Sequence, residues 1–391
     1  EYVREINFAA VKLAREVADE FTALTPDKPR FVAGSIGPTN KTCSMSPDVS
    51  NPAAREITYD ELFTDVCEQV DGLIEGGADV ILIETIFDTL NCKAMIDAAL
   101  TMMKKHGVEL PVMISLTVSD LAGRTLSGQT VDAFLASLSP YPIFSVGMNC
   151  AFGAPQMKPF IEHMAQVAPY YISAHPNAGL PNEMGEYDET AESMAPQIAE
   201  FIDEGIVNII GGCCGTSPEF IAHYARIVEG KKPHQVVEKP KYMWLSGLDL
   251  LQVDDSVHLP VDASRFVNVG ERCNVAGSRK FLRLINEKNY EEAIGIARKQ
   301  VADGAAVVDV NMDDGLLDAK AEMVNFLNMI AAEPDIAKVP VMIDSSKWEV
   351  IEKGLMCVQG KSIVNSISLK EGEDVFLRHA ARIKQLGAAT V

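Results

Sequence analysis

Glu75-Gly76-Gly77-Ala78-Asp79-Val80-Ile81-Leu82-Ile83 decides the fold. A helical pattern stops on glycine, which tolerates the left-handed conformation of a helix cap. An apolar, β-branched run then begins with no polar alternation, and strands apolar on both faces belong to parallel sheets covered by helices. The same handover recurs at Glu204-Gly205 and Asp303-Gly304-Ala305. Comparable runs stand at 30–34, 111–115, 143–147, 170–173 and 207–210. Their starts recur roughly every 30 residues, the size of one βα unit. The pattern predicts an α/β protein opening with a (βα)₈ TIM-type barrel that lacks two strands. The first helix (Ile6, Ala9, Ala10, Leu13, Val17) reads as though cut inside the second βα unit.

Residues 230–264 break this rhythm. Glu229-Gly230-Lys231-Lys232-Pro233 and Glu238-Lys239-Pro240-Lys241 are polar and proline-punctuated, as in an interdomain linker. Trp244, Leu245 and Leu248 inside it admit two readings: a docking segment that clamps two barrels, or a cover over an exposed helix. The βα rhythm restarts at 266–269, 306–309, 339–343 and 363–365, with a fifth strand beginning at Ala388. A (βα)₈ domain takes about 250 residues, and roughly half that follows the linker. The expectation is two tandem TIM-type barrels, both incomplete: 1–229 without its N-terminal strands, a linker at 230–264, and 265–391 without its C-terminal half. An intact α/β sandwich is the alternative for the second unit.

The 391 residues suit two domains, and 47% apolar residues can fill their cores. A net charge of −21 argues against a nucleic-acid partner. No apolar run approaches the ~18 residues of a membrane span. Eight scattered cysteines form no disulfide framework and read as reduced, cytoplasmic thiols.

Gly147-Met148-Asn149-Cys150 and Gly211-Gly212-Cys213-Cys214-Gly215 carry the chemistry. Each group ends a predicted parallel strand, and strand C-termini build the active site of such barrels. In a complete barrel these would be the sixth and eighth strands, near enough across the mouth to share a ligand. Three converging thiolates suit Zn²⁺, and a three-ligand site leaves a position open for chemistry. Zinc deprotonates a bound thiol, so the expected reaction is S-alkylation. Cys43, Cys67, Cys92, Cys273 and Cys357 read instead as small buried apolar residues.

These motifs resemble the homocysteine S-methyltransferase domain, in which three such cysteines hold zinc. Gly37-Pro38-Thr39-Asn40, 83–91, 123–129 and 175–179 extend the resemblance to the cobalamin-dependent methionine synthase family. So do 268–274, 309–313, Ile343-Asp344-Ser345-Ser346 and 365–368, which resemble that family's pterin-binding domain. The resemblance implies methyl transfer from 5-methyltetrahydrofolate through cobalamin to zinc-activated homocysteine, giving methionine. It implies zinc on Cys150, Cys213 and Cys214, and homocysteine contacts from Glu84 and Asn149. Glu271, Asn274, Asp309, Asn311, Asp344 and Asn365 would face the pterin. A pterin edge offers a row of donors and acceptors that carboxylates and amides can match, and its methylated nitrogen leaves only when protonated.

No Asp-x-His-x-x-Gly occurs, so the cobalamin-binding and reactivation domains are expected outside this chain. Two rivals share the first barrel: a cobalamin-independent homocysteine S-methyltransferase using betaine or S-methylmethionine, and a non-catalytic domain stapled by zinc. The staple requires a fourth protein ligand, for which Cys43 is the candidate. His175 is expected to pack or hydrogen-bond beside the barrel mouth.

Overall fold

The computed structural model describes residues 2–240, 242–253 and 266–391. Its first part alternates α1 (Val3–Leu24), β1 (Ala33–Ile36), α2 (Tyr59–Gly76), β2 (Val80–Ile86), α3 (Thr89–His106), β3 (Val112–Leu116) and α4 (Val131–Leu138). It continues through β4 (Ser145–Asn149), α5 (Ala154–Val167), β5 (Tyr171–His175), α6 (Ala191–Asp203), β6 (Ile209–Ile210) and α7 (Pro218–Ile227). The strands form one six-stranded sheet in sequential order, every pair parallel. Sequential parallel strands joined by helices are consistent with a TIM-type domain. Local signals agree with this order. Thr58 and Glu61 close a capping box on α2, and Gly77 (φ +93°) ends that helix in the left-handed conformation.

A hairpin, β7 (Met243–Ser246) with β8 (Leu250–Val253), follows. The third part comprises β9 (Val269–Asn274), α8 (Arg279–Asn286), α9 (Tyr290–Ala302), β10 (Val307–Asn311), α10 (Ala319–Ala331) and α11 (Pro334–Ala337). β11 (Val341–Asp344), α12 (Trp348–Leu355), β12 (Ile363–Asn365), α13 (Glu373–Gln385) and β13 (Ala389–Thr390) complete it. Its five strands are again parallel and sequential. No described helix is long and apolar enough to cross a membrane.

The stretch read as a linker is more ordered than its polar composition suggests. Trp244, Leu245 and Leu248 are buried. The hairpin bonds to both sides: Gln129 Nε2 donates to the Gly247 carbonyl (2.7 Å) and the Leu248 N–H to that of Ala337 (2.8 Å). The clamp reading of these three residues fits, and the turn requires a glycine. A Cβ on Gly247 would sit 2.2 Å from the Ala337 carbonyl oxygen. Residues 254–264 of that stretch lie outside the described residues. Between the sheets α3 is buried on nearly all sides, which explains an interior carrying Lys93 and Asp97 beside Leu90, Met95 and Ile96.

Candidate active sites

Cys150 follows β4 while Cys213 and Cys214 follow β6, so all three leave the C-terminal edge of one sheet. Their sulfurs lie within 4.8 Å of one another, with Cys150 and Cys214 Sγ 3.4 Å apart. Sulfurs on bonds of about 2.3 Å at tetrahedral angles sit about 3.8 Å apart. The cluster therefore fits a thiophilic cation of zinc's size with one position spare. Among the described residues no fourth His, Cys, Asp or Glu joins the group. Cys43 is buried elsewhere, its carbonyl accepting from Arg55 Nε (2.9 Å).

Two buried asparagines hold this edge. Asn177 accepts from the Cys214 N–H (3.1 Å) and its Nδ2 donates to the Cys150 carbonyl, joining two ligand-bearing loops. Asn149 accepts from the Thr85 N–H (3.0 Å) and Ser115 Oγ (2.6 Å), and donates to Thr85 Oγ1 (2.7 Å) and Cys213 Sγ (3.6 Å). Thr85 (φ +58°) and Cys150 (φ +70°) are left-handed without being glycine, a strained conformation that clusters at functional sites. Burial, and next the Cys214 contact, push the Cys150 thiol up to about 12. Against burial, hydrogen bonds from Cys150 and Tyr187 hold Cys214 below the usual thiol value. Glu84 sits at the β2 end, hydrogen-bonded by Ser35, where the β2–β3 register shifts between Ile83 and Ile86. Such a bulge re-aims side chains next to a site. His175 packs its ring against Gly211 and accepts from the Cys150 N–H through its carbonyl, and burial lowers its imidazole to about 4.

The second sheet gathers its own polar row. Asn274, Asn311, Asp344 and Asn365 stand level on neighbouring strands β9, β10, β11 and β12. Asn311 Nδ2 donates to Asp344 (3.0 Å), and Asn274 Nδ2 approaches the same oxygen at 3.5 Å. Asp309 lies two residues earlier on β10, 3% exposed, with Oδ1 buried and unpartnered. Burial, then the nearby Asp344 and Glu271, raise its carboxyl to about 7. Glu271 is exposed at a register shift of β9, and the Asn365 carbonyl accepts from the Ser345 N–H (3.0 Å). Asp313 serves a local role, accepting from Ser345 Oγ and Ser346 Oγ.

Sequence reasoning did not single out Thr85, Ser115, Asn177 or Tyr187. Asn177 stood in the quoted His175-Pro176-Asn177 run, where only its place before Cys214 in space reveals it. Tyr187 had no local signal. It reaches Cys214 because Gly215 (φ +79°) lets its ring approach within 2.5 Å of where a Cβ would be.

Parallel βα sheets that carry a thiol cluster at a strand-end rim define the class: an α/β protein with a candidate thiolate metal site. The chain belongs to the homocysteine S-methyltransferase family, whose model matches residues 1–228. The pterin binding enzyme model matches residues 270–391. Among solved structures the chain is similar to the apo homocysteine methyltransferase MmuM of Escherichia coli, at 20% identity over 57% of this chain and 74% of that one (TM-score 0.44). The metallated form of MmuM matches at 20% identity over 57% and 70% (TM-score 0.44). A 2-naphthoyl-CoA reductase complex matches at 11% identity over 91% and 68% (TM-score 0.31).

Proposed function

We propose that this chain forms the two small-substrate sites of a cobalamin-dependent methionine synthase. Residues 1–229 take homocysteine, 230–264 link, and 265–391 take 5-methyltetrahydrofolate, each sheet being part of a (βα)₈ barrel incomplete within this sequence. The reading rests on one observation: a three-thiol cluster and an Asp/Asn strand-end row share one chain. A stand-alone homocysteine methyltransferase has no use for the second.

Zn²⁺ held by Cys150, Cys213 and Cys214 would deprotonate an incoming homocysteine thiol at neutral pH. Glu84, kept in place by Ser35, offers the negative charge that a substrate ammonium requires. Asn149 and Asn177 fix the strand ends that carry the sulfurs. In the second sheet Asp344, Asn311, Asn274 and Asn365 match the donor and acceptor edge of a pterin, with Glu271 at its margin. Asp309 keeps a proton up to about pH 7, where an acid is needed beside a departing tertiary amine. The reading implies partner domains that bind and reactivate cobalamin, and its reduced thiols suit the cytoplasm.

The test offers the protein two methyl sources. Reduced cobalamin should take the methyl group from 5-methyltetrahydrofolate, and methylcobalamin should convert homocysteine to methionine. Methionine formed from S-methylmethionine or betaine, with no corrinoid-dependent reaction, would overturn the reading in favour of the cobalamin-independent alternative.

A further inference from the structure

We infer that Asn149 is a positioning residue of the thiol site, its amide N–H holding the Cys213 sulfur and drawing charge from it once a cation is bound. The inference rests on the proposed zinc–homocysteine reading and deepens it.

Asn149 is 1% exposed and its amide is fully used. Oδ1 receives two hydrogen bonds and Nδ2 gives two, which leaves nothing for a substrate atom. Direct homocysteine contact by this side chain, expected from the resemblance, therefore gives way to a role one layer out. The orientation of the amide is fixed by chemistry. The Thr85 backbone N–H can only donate, so Oδ1 must face it, and Nδ2 must face Thr85 Oγ1 and the Cys213 sulfur.

The same amide grips both arms of the site. Thr85 is a β-branched residue at φ +58°, in contact with Asn149 through both its N–H and its hydroxyl, and Glu84 precedes it on the bulge. Cys213 lies on the other arm. One side chain thus sets the spacing between the carboxylate meant for the ammonium and the sulfur meant for the cation. Partners of metal ligands orient them and tune their charge. Three cysteine thiolates and a substrate thiolate on Zn²⁺ would carry a formal excess of negative charge. The donor on Cys213 from Asn149 damps that protein sulfur and leaves the substrate sulfur richer in electrons than it. That difference directs methylation to homocysteine rather than to the protein.

Cobalt loaded in place of zinc reads this directly through its thiolate charge-transfer band. Asn149→Asp keeps the volume and both accepting contacts but removes the N–H. We expect its band at longer wavelength and metal affinity lowered roughly 10–100-fold, the usual cost of losing such a partner. Ser115→Ala, which spares the sulfur contact, should leave the band in place; an equal shift there would overturn the specific role. Should Asn149→Asp not fold, wild-type protein carrying NMR-active cadmium and nitrogen-labelled asparagine decides. Scalar coupling from cadmium to one Asn149 amide proton supports the bond, and its absence overturns it. A protein that binds three-sulfur metal and homocysteine, yet shows an unshifted Asn149→Asp band, refutes this inference alone. A wild type that binds no metal refutes it together with the proposed function.

Discussion

Asp97 of α3 and Arg382 of α13 meet across the seam between the two sheets, Oδ2 2.8 Å from Nη1, with the Asp97 side chain at 0% exposure. Tyr59 and Gln385 complete its hydrogen bonds, so a carboxylate of the first part is satisfied largely by the third. Removing one partner of a buried pair strands the other charge, at about 3–5 kcal/mol. Arg382→Ala should therefore lower the urea-unfolding free energy by about 3 kcal/mol, toward the low end because Tyr59 and Gln385 remain. A loss under about 0.5 kcal/mol, the usual scale for surface changes, would show that the pair does not hold the seam.

Lys93, one turn earlier on α3, donates to the carbonyls of Gly360 (2.7 Å) and Val358 (3.2 Å). Burial, with Lys361 adding repulsion, lowers its ammonium from 10.5 to about 7. The unfolded chain holds this proton up to about 10 while the fold releases it above about 7, so stability rises with pH between those values. Unfolding followed from pH 7 to pH 9 should gain about 2 kcal/mol in wild type. Lys93→Met should lose that slope, and a slope unchanged in Lys93→Met would count against a depressed lysine here.

Asp309 runs with the opposite sign. Its carboxyl is raised from 3.8 to about 7, so the fold holds a proton the unfolded chain has released, and stability falls as pH climbs through that window. Asp309→Asn should be more stable than wild type by roughly 2–4 kcal/mol at pH 8 and equal to it below pH 4. It should also transfer the methyl group of 5-methyltetrahydrofolate at least about tenfold more slowly, because an amide has no acidic proton to give the departing nitrogen. An undiminished rate of methyl transfer to reduced cobalamin at pH 7 would remove Asp309 from that role.

Cys43 and Cys150 separate the open metal site from the staple. Cys43 lies in the core, away from the three sulfurs. Cys43→Ala should keep the zinc content of wild type while losing some thermal stability. Cys150→Ala should weaken zinc retention more than about 100-fold, beyond what loss of an outer partner costs. Equal zinc loss in both, by metal analysis after dialysis against chelator, would restore the staple.

Much of this was legible in the sequence because apolar runs and glycine stops are local. The run at 111–115 becomes β3 at Val112–Leu116, and that at 363–365 is β12 itself. Boundaries slipped where side chains took the place of ladder bonds. The strand expected from Arg30 starts at Ala33, since the Val32 N–H goes to the Asp79 carboxylate (2.7 Å) rather than to a neighbouring strand. The run at 266–269 gives way to β9 at Val269–Asn274, whose exposed Glu271-Arg272 pair sits at a register shift that hydrophobic patterning does not register. The hairpin within 243–253 was hidden because its partners lie far away in sequence: the Ser246 and Leu248 N–H groups donate to the Lys361 and Ala337 carbonyls. In the thiol site the cysteines announced themselves by their glycine framing. Asn177 and Tyr187 did not, because only the fold brings their loop over Cys214.

Zinc-edge X-ray absorption before and after homocysteine is added bears most directly on the thiol site. Zinc-loaded protein should show three sulfur neighbours at about 2.3 Å, and a fourth once homocysteine binds. Four sulfurs beforehand, or a sulfur shell that homocysteine leaves unaltered, would contradict the account.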